Sequence, residues 1–247
     1  MEKTAMIFAA GLGTRLRPLT DTRPKALVEV GGKPLLWHTL HRLEAAGYRH
    51  IVINVHHFAS MIEEWLDGNP FPELGIDVSE EEELLDTGGG ILAAEKFLGG
   101  CGSFLVHNVD ILSDADLGKL EKAHGESLAT LLVSDRKTSR YLLFDKEMEL
   151  SGWTSLATGE VRSPHPGLDP ARCRRLAFSG IHILSDGIFD AFREEGLSGK
   201  FPIMDFYISS CSKYDIRGFE ERDLRLLDVG KKETLAEAQS FIEKINQ

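Results

Sequence analysis

Cysteine, basic residues and long apolar runs are all scarce in this chain. Its three cysteines, Cys101, Cys173 and Cys211, lie far apart and show no CxxC or Cys/His spacing, which argues against a disulfide framework or a zinc site. No segment approaches the roughly 20 apolar residues that span a bilayer, and the N-terminus lacks the pattern of a signal peptide. We therefore expect a soluble, cytoplasmic protein with reduced cysteines.

Positive charge falls well short of negative charge. The 28 Lys and Arg residues against 39 Asp and Glu give a formal net charge of −11. A surface of this sign repels nucleic acids and anionic membranes, so neither is an expected partner. A small anionic substrate fits such a protein where cations are concentrated locally. The 247 residues suffice for one large α/β domain.

The first half of the sequence alternates between strand-like and helix-like segments. Short apolar or β-branched runs are followed by segments whose apolar residues recur at helical spacing. The predicted elements are strand Thr4–Ala9, helix Pro34–Ala46, strand Ile51–Val55, helix Ala59–Leu66, strand Ile76–Ser79, helix Gly90–Leu98 and strand Phe104–Asn108. This alternation predicts an α/β fold with a mostly parallel sheet flanked by helices and with ligands beyond the carboxyl ends of the strands.

Beyond a predicted helix at Asp114–His124, shorter strands joined by turns predict antiparallel pairing. These later elements are the strands Ala129–Val133, Tyr141–Asp145, Leu150–Ser155 and Leu176–Leu184, the helices Gly187–Glu194 and Ile203–Cys211, strands near Ile216 and Leu226, and a final helix Lys232–Ile245. No repeat, low-complexity tract or linker interrupts them. We therefore expect a single domain over residues 1–247.

A local concentration of cations follows the first strand, in the segment AAGLGTRLRPLTDTRPK at residues 9–25. Gly11 and Gly13 allow backbone N–H groups to approach an anion closely, and Arg15 and Lys25 can neutralise a triphosphate. Leu16 stands where a GxGxxG dinucleotide fingerprint needs glycine, and no GxxxxGK[ST] P-loop is present. The segment therefore predicts a phosphate-binding loop of another kind.

This loop and several later motifs resemble the signature of the sugar-1-phosphate nucleotidyltransferases, or NDP-sugar pyrophosphorylases. The shared segments are GLGTRLRPLT at 11–20, PK at 24–25, VGGKPL at 30–35, NVH at 54–56, TGGGI at 87–91, NVD at 108–110, FSGI at 178–181 and DVG at 228–230. The TGGG version and the short length, without a C-terminal left-handed β-helix, are most similar to N-acetylmuramate α-1-phosphate uridylyltransferase-like members. Mannose-1-phosphate guanylyltransferase-like members come next.

The resemblance implies a Rossmann-like, GT-A-like fold with a nucleotide-binding half at 1–125 and a sugar-phosphate-binding half at 126–247. It implies an enzyme that converts a nucleoside triphosphate and a sugar 1-phosphate to an NDP-sugar and pyrophosphate. UTP with N-acetylmuramate 1-phosphate or a related hexose 1-phosphate is the expected pair. The alternatives are a guanylyltransferase-like enzyme, a phosphocholine cytidylyltransferase-like enzyme and a non-catalytic nucleotide-binding regulator. We expect a monomer or a weak homo-oligomer.

The resemblance also implies which residues serve the reaction, in which a sugar phosphate oxygen attacks the α-phosphorus. Arg15, Lys25 and Asp110 are the implied catalytic residues, and Asp110 and Asp228 are the implied ligands of Mg²⁺, a cation that prefers carboxylate oxygens. The implied nucleotide-binding residues are Ala10, Gly11, Leu12, Gly13, Thr14, Arg15, Lys25, Asn54, Glu82, Gly88, Gly89 and Asn108. The implied sugar-phosphate-binding residues are Trp153, Glu160, Arg162 and Gly180.

Two departures from the family pattern leave parts of this assignment open. Val109 stands where the family usually has glycine, and its Cβ is expected either to crowd the nucleotide or to shift Asp110. The sequence TGEVR at 158–162 replaces the lysine-bearing, Glu-Lys-Pro-like segment that grips the sugar phosphate in many members. Two interpretations stay open: either an arginine takes the place of that lysine, or these arginines belong to a solvated basic loop. The arginines concerned are Arg162, Arg172, Arg174 and Arg175.

Other positions have two interpretations. The glycines Gly88–Gly90, expected between a strand and a helix, either border the nucleotide or form the turn that starts the helix. Asn54 and His56 either line the cleft or stabilise a loop, and Trp153 either faces the sugar or packs internally. His107 is expected to be a structural strand residue.

Overall fold

The computed structural model describes residues 2–245, which form alternating strands and helices. The strands are β1 (Lys3–Phe8), β2 (Glu29–Val30), β3 (Lys33–Pro34), β4 (Tyr48–Val55), β5 (Gly75–Glu80), β6 (Ser103–Asn108), β7 (Ile111–Ser113), β8 (Ala129–Ser134), β9 (Arg140–Phe144), β10 (Leu150–Ser155), β11 (Val161–Arg162), β12 (Arg174–Ser185), β13 (Ile216–Glu220) and β14 (Leu226–Asp228). The helices are α1 (Leu35–Ala45), α2 (Ala59–Gly68), α3 (Asp86–Ala93), α4 (Glu95–Leu98), α5 (Leu117–His124), α6 (Ile188–Glu194), α7 (Ile203–Ser210) and α8 (Lys232–Ile245). No helix in this part of the chain has the length and apolar character needed to cross a membrane.

The chain folds into two compact units, and neither is a continuous stretch of sequence. Among the described residues, the first unit comprises 2–84, 93–115 and 225–245, and the second comprises 85–92 and 116–224. The functional halves expected at 1–125 and 126–247 stay a prediction. The last segment of the chain thus belongs to the same unit as the first.

The first unit is built on four parallel strands in the order β6, β1, β4, β5. Ala5, Met6 and Ile7 of β1 are fully buried, as a continuous apolar run in a parallel sheet should be. Helix α1 packs on β4 through an apolar stripe at helical spacing. Phe8 lies in register with Asn54 on one side and Asn108 on the other, so the chain leaves these strands at one common edge.

The second unit has mainly antiparallel pairing, which confirms the prediction for this part. Strand β12 pairs with β8 and β9, β9 pairs with β10, and β10 pairs with β11, all antiparallel. Strand β13 runs parallel to β8, which the turn pattern did not indicate. With the parallel sheet of the first unit, this confirms the predicted mixed α/β fold flanked by helices.

The prediction that a helix begins at Gly90 is wrong. Helix α3 begins at Asp86, so that Gly88, Gly89 and Gly90 lie inside it and are buried. Glycine has a low intrinsic helix propensity, which favours a loop in a sequence-based prediction. Tertiary contacts override that preference, because the Phe201 carbonyl accepts hydrogen bonds from the N–H groups of Gly88 and Gly89 at 2.9 and 3.1 Å.

Candidate active site

The loop after β1 is open to solvent on its backbone side. Gly11, Leu12, Thr14 and Arg15 are exposed, whereas Ala10 is buried. Gly13 has a left-handed backbone with φ +61°, a conformation that favours glycine. Its carbonyl accepts a hydrogen bond from the Thr20 hydroxyl at 2.8 Å, which fixes the loop internally while leaving its outer edge free of protein contacts at Gly11.

Lys25 and Asp110 form an ion pair within the first unit. Their side chains are 10% and 17% exposed, so the pair is largely withdrawn from water. Lys25 begins a short 3-10 turn after Pro24, and Asp110 follows the carboxyl end of β6. Electrostatic attraction in such a partly buried place is screened less than at the surface. A cation and a carboxylate are therefore held together at the edge where β1 and β6 end.

Asp228 joins this edge through the pairing of β14 with β7. Asp228 lies opposite Ile111 in this antiparallel pair, and the N–H of Val229 donates to the Asp110 carbonyl at 2.8 Å. A Cβ on Gly230 would lie 2.6 Å from both the Asp228 Oδ1 and the Arg15 Nη2. Those two atoms are therefore separated by no more than twice that distance. Gly230, which sequence reasoning did not single out as a site residue, leaves the room for both.

The arrangement of Asp110 and Asp228 fits a divalent metal ion completed by substrate oxygens. A hard cation such as Mg²⁺ is commonly held by one or two carboxylates plus phosphates. Within residues 2–245 no cluster of three or more His, Cys, Asp or Glu side chains forms a protein-only cage. A metal held by Asp110 and Asp228 would take its further ligands from substrates or from water.

Val109 does not project into the open loop region. Its side chain is 3% exposed and its N–H donates to the Phe8 carbonyl at 3.2 Å. The chain thus extends the β1–β6 pairing by one further bond before Asp110. In this arrangement Asp110 keeps its ion pair with Lys25, so the valine is accommodated in the interior.

Asn54 is a buried hydrogen-bonding residue at the end of β4. It is 1% exposed, and its Nδ2 donates to Glu81 Oε1 at 2.7 Å. The backbone carbonyl of Glu81 also bonds to the His56 ring at 2.8 Å. These contacts favour the loop-stabilising interpretation of Asn54 and His56. Glu81, rather than the exposed Glu82, is the acidic residue that joins them, and its position after strand β5 was the sequence signal for it.

His107, next to the half-buried Asn108 of β6, is a structural residue, as predicted. It is fully buried, and its Nδ1 is hydrogen-bonded to the Asn108 carbonyl at 2.8 Å. Burial, together with the nearby Arg42 guanidinium, lowers its pKa to about 4. The ring is therefore neutral near pH 7 and is not exposed to act on a substrate.

Gly88 and Gly89 belong to the second unit and offer no free N–H group to a ligand. Both N–H groups donate to the Phe201 carbonyl, and a Cβ on Gly89 would lie 2.2 Å from the Gly199 carbonyl oxygen. Contact with the nucleotide base stays a prediction for these residues. Their evident physical role is to let α3 approach the 199–201 backbone closely.

The second unit contains a cavity of about 340 Å³ beside its antiparallel strands. Trp153 and Arg162, both predicted to bind the sugar phosphate, line it. Glu160 and Gly180 are not among its lining residues: Glu160 is exposed directly before β11, and Gly180 is buried in β12 with φ +75°. The other lining residues are Arg136, Thr138, Arg140, Leu142, Phe178, Met204, Asp205 and Ile208.

Among the arginines proposed as alternatives for the missing lysine, Arg162 alone reaches this cavity in the part of the chain that is described. Its Nη2 pairs with Asp205 Oδ1 at 2.8 Å. The others bond elsewhere: Arg172 to Asp169 at 3.9 Å, Arg174 to Glu220 at 2.5 Å and Arg175 to the Pro170 carbonyl at 3.4 Å. Arg136 and Arg140 also line the cavity and were missed, because strand pairing brings Arg140 there and a hydrogen bond to the Phe178 carbonyl holds Arg136 there.

Comparison with known proteins gives one consistent family. The nucleotidyl transferase family model matches residues 4–245. An N-acetylmuramate alpha-1-phosphate uridylyltransferase of Caulobacter vibrioides is 50% identical over 212 residues, 83% of each chain. Its namesake in Neisseria meningitidis serogroup B is 49% identical over 243 residues, 96% of this chain and 97% of that protein.

A solved structure supports the fold independently. A putative glucose-1-phosphate thymidylyltransferase of Bacillus anthracis, in complex with a sucrose, superposes with a TM-score of 0.80 at 18% identity, over 100% of this chain and 97% of that one. The prediction made from the motifs is thus confirmed: the chain belongs to the nucleotidyl transferase family and is an enzyme of the sugar-1-phosphate nucleotidyltransferase class.

Proposed function

We propose that this enzyme couples UTP with N-acetylmuramate 1-phosphate, releasing pyrophosphate and leaving UDP-N-acetylmuramate. Two relatives that are 49–50% identical over most of their length carry that activity in their names. The structural observation behind the proposal is the grouping of Lys25, Asp110, Asp228 and Arg15 at one edge of the first unit. We also infer a cytoplasmic location and Mg²⁺ as the metal.

The proposed reaction needs positioning and charge neutralisation more than covalent help from the protein. An oxygen of the sugar phosphate forms a bond to the α-phosphorus while the bond to the β-phosphate oxygen breaks, and pyrophosphate leaves with that electron pair. The N–H groups of Leu12 and Gly13 bind the nucleotide phosphates. Arg15 neutralises the β- and γ-phosphates, which carry the charge of the leaving group.

In this proposal, the Lys25 ammonium binds the α-phosphate. Its ammonium is already desolvated and held by Asp110, so little further ordering is needed when the nucleotide binds. Asp110 and Asp228 would hold the metal. Mg²⁺, when bound, would supply positive charge to the phosphate oxygens of both substrates. The Trp153 and Arg162 side chains in the second unit would bind the sugar phosphate.

The test is pyrophosphate release from purified protein with Mg²⁺, using UTP, GTP, CTP and dTTP against a set of acceptors. These acceptors are N-acetylmuramate 1-phosphate, N-acetylglucosamine 1-phosphate, mannose 1-phosphate and phosphocholine. We expect release with UTP and N-acetylmuramate 1-phosphate. Asp228→Asn should lower kcat/KM on the order of 10²-fold, whereas Asp223→Asn, which changes another exposed carboxylate in a turn, should change it little.

Each other outcome identifies an alternative. Release with GTP and mannose 1-phosphate would make the enzyme guanylyltransferase-like, and release with phosphocholine and CTP would make it a cytidylyltransferase. No release, with UTP binding intact by calorimetry, would favour a nucleotide-binding regulator. An Asp228→Asn variant with unchanged Mg²⁺ dependence would exclude Asp228 as a metal ligand.

A further inference from the structure

The cavity of the second unit carries more positive charge than is needed to bind the 1-phosphate of an otherwise uncharged sugar. Three arginines, Arg136, Arg140 and Arg162, line it, together with a single acidic residue, Asp205. This happens in a chain whose net charge is −11. Cations concentrated in a cavity against an opposing overall charge indicate a strongly anionic ligand.

The three arginines are not equally committed to protein partners. Arg162 is paired with Asp205 at 2.8 Å, and Arg136 donates to the Phe178 carbonyl at 2.8 Å. Arg140 is exposed at the cavity, and its side chain makes no ion pair within residues 2–245. Arg162 has one carboxylate contact among its five N–H donors. Arg140 therefore offers its whole guanidinium to a ligand.

Strand register places Arg140 and Arg162 at different ends of one sheet face. Leu142 lies opposite Trp153, and Trp153 lies opposite Arg162. Arg140 precedes Leu142 by two residues and therefore points to the same face. Two strand spacings across and two residues along give about 12 Å between the Cα atoms of Arg140 and Arg162. Trp153 presents a flat apolar surface between them.

We propose that Arg140, supported by Arg136, binds a carboxylate on the sugar while Arg162 binds the 1-phosphate, so that this cavity selects acidic sugar 1-phosphates. This assignment rests on the proposed function and makes these two arginines its specificity-determining residues. A guanidinium binds a carboxylate through two parallel hydrogen bonds. N-acetylmuramate 1-phosphate carries such a group, on a lactyl ether at C3, in addition to its phosphate. N-acetylglucosamine 1-phosphate has the same ring without it.

The test compares N-acetylmuramate 1-phosphate with its lactyl amide, which has the same shape but no carboxylate charge. The wild-type enzyme should prefer the acid by about 10- to 100-fold in kcat/KM. Arg140→Gln should bring that ratio close to one, mainly by raising KM for the acid, and Arg136→Gln should lower it less. In Arg140→Gln, kcat/KM for the amide and for N-acetylglucosamine 1-phosphate should fall by a smaller factor than kcat/KM for the acid.

A matched control removes an arginine of the same unit outside the cavity. Arg222 is 86% exposed and lies 4.0 Å from Glu220, so Arg222→Gln should keep the wild-type ratio. An unchanged acid-to-amide ratio in Arg140→Gln would overturn the assignment even though turnover supports the proposed function. Equal KM increases for acid and amide would instead assign Arg140 to the phosphate.

The assignment stays testable if uridylyl transfer itself is not observed. In that case calorimetric binding of the acid and the amide to the wild-type protein and to Arg140→Gln decides it. Preferential binding of the acid that is lost in the variant supports it, and equal binding of both compounds overturns it.

Discussion

Two glycine-rich segments of this chain are alike in sequence and different in physical role. The first, Gly11–Gly13, lies in an exposed loop after β1, whereas the second, Gly88–Gly90, lies inside helix α3 and is buried. In the loop, glycine provides a left-handed backbone at Gly13 and an unobstructed surface at Gly11. In the helix, it provides room for the carbonyl groups of Gly199 and Phe201.

The comparison shows that a glycine motif alone does not indicate a phosphate-binding loop. Free N–H groups are the feature that an anion needs, and those of Gly88 and Gly89 already donate to Phe201. The loop at Gly11–Gly13 keeps its outer surface open, with cations nearby in the sequence. A position can require glycine for close packing, for its backbone conformation or for ligand access. Alanine substitutions at different glycines distinguish these three reasons.

The largest effect is expected for packing. A Cβ on Gly89 would lie 2.2 Å from the Gly199 carbonyl oxygen and 2.9 Å from the Leu85 Cβ. Because a backbone atom cannot rotate away, Gly89→Ala should lower the free energy of unfolding by about 3 kcal/mol. Urea denaturation measures this. Gly118→Ala, in the exposed first turn of α5 with its nearest contact at 3.4 Å, is the control and should raise stability by up to about 1 kcal/mol.

An intermediate effect is expected for backbone conformation. Gly13→Ala places a side chain at φ +61°, with the Thr20 methyl 2.8 Å away. The left-handed conformation costs an L-residue roughly 1–2 kcal/mol, so the free energy of unfolding should fall by about that amount in the same urea experiment. A stability equal to that of the wild type would show that the loop relaxes to another conformation, and the two glycine segments would then differ less than we infer.

The smallest effect on stability is expected where glycine provides access. Gly11→Ala meets no atom within 4 Å and has no positive φ, so the free energy of unfolding should be unchanged or rise by up to about 1 kcal/mol. KM for UTP should nevertheless increase by about tenfold, because the added methyl group blocks the approach of phosphate to the backbone. An unchanged KM would remove Gly11 from the nucleotide site.

Much of the fold was predictable because it depends on local patterns. Consecutive residues contain the pattern of each correctly predicted element: the apolar run of β1, the apolar stripe of α1 and the helical spacing of Lys232–Ile245. Helix α3 was placed too late because its glycines are stabilised by distant residues near Phe201. Local propensity contains no information about such a partner.

The residues of the candidate site also fall into those that the sequence predicted and those that only the structure reveals. Lys25, Asp110 and Asp228 were predictable from motifs, and the structure brings these residues to one edge of the first unit. Glu81 was indicated only by its position after β5, and its hydrogen bond with Asn54 appears only in the structure. Gly230 was not indicated, because its importance lies in the free space that it leaves. Arg136 and Arg140 line the cavity through cross-strand register and through contacts with Phe178. Register across strands follows from the assembled sheet, which a single sequence does not display.

Because the first unit is discontinuous in sequence, its parts are synthesised at different times. Lys25 and Asp110 emerge early from the ribosome, but Asp228 and α8 emerge after the whole second unit has been translated. Strand β14 and helix α8 then contact β7 and β2. A nascent chain that ends before residue 225 thus has the basic loop and one carboxylate but lacks the other. Synthesis of residues 225–245, rather than folding of the first strands, therefore sets the moment at which the proposed metal site is assembled.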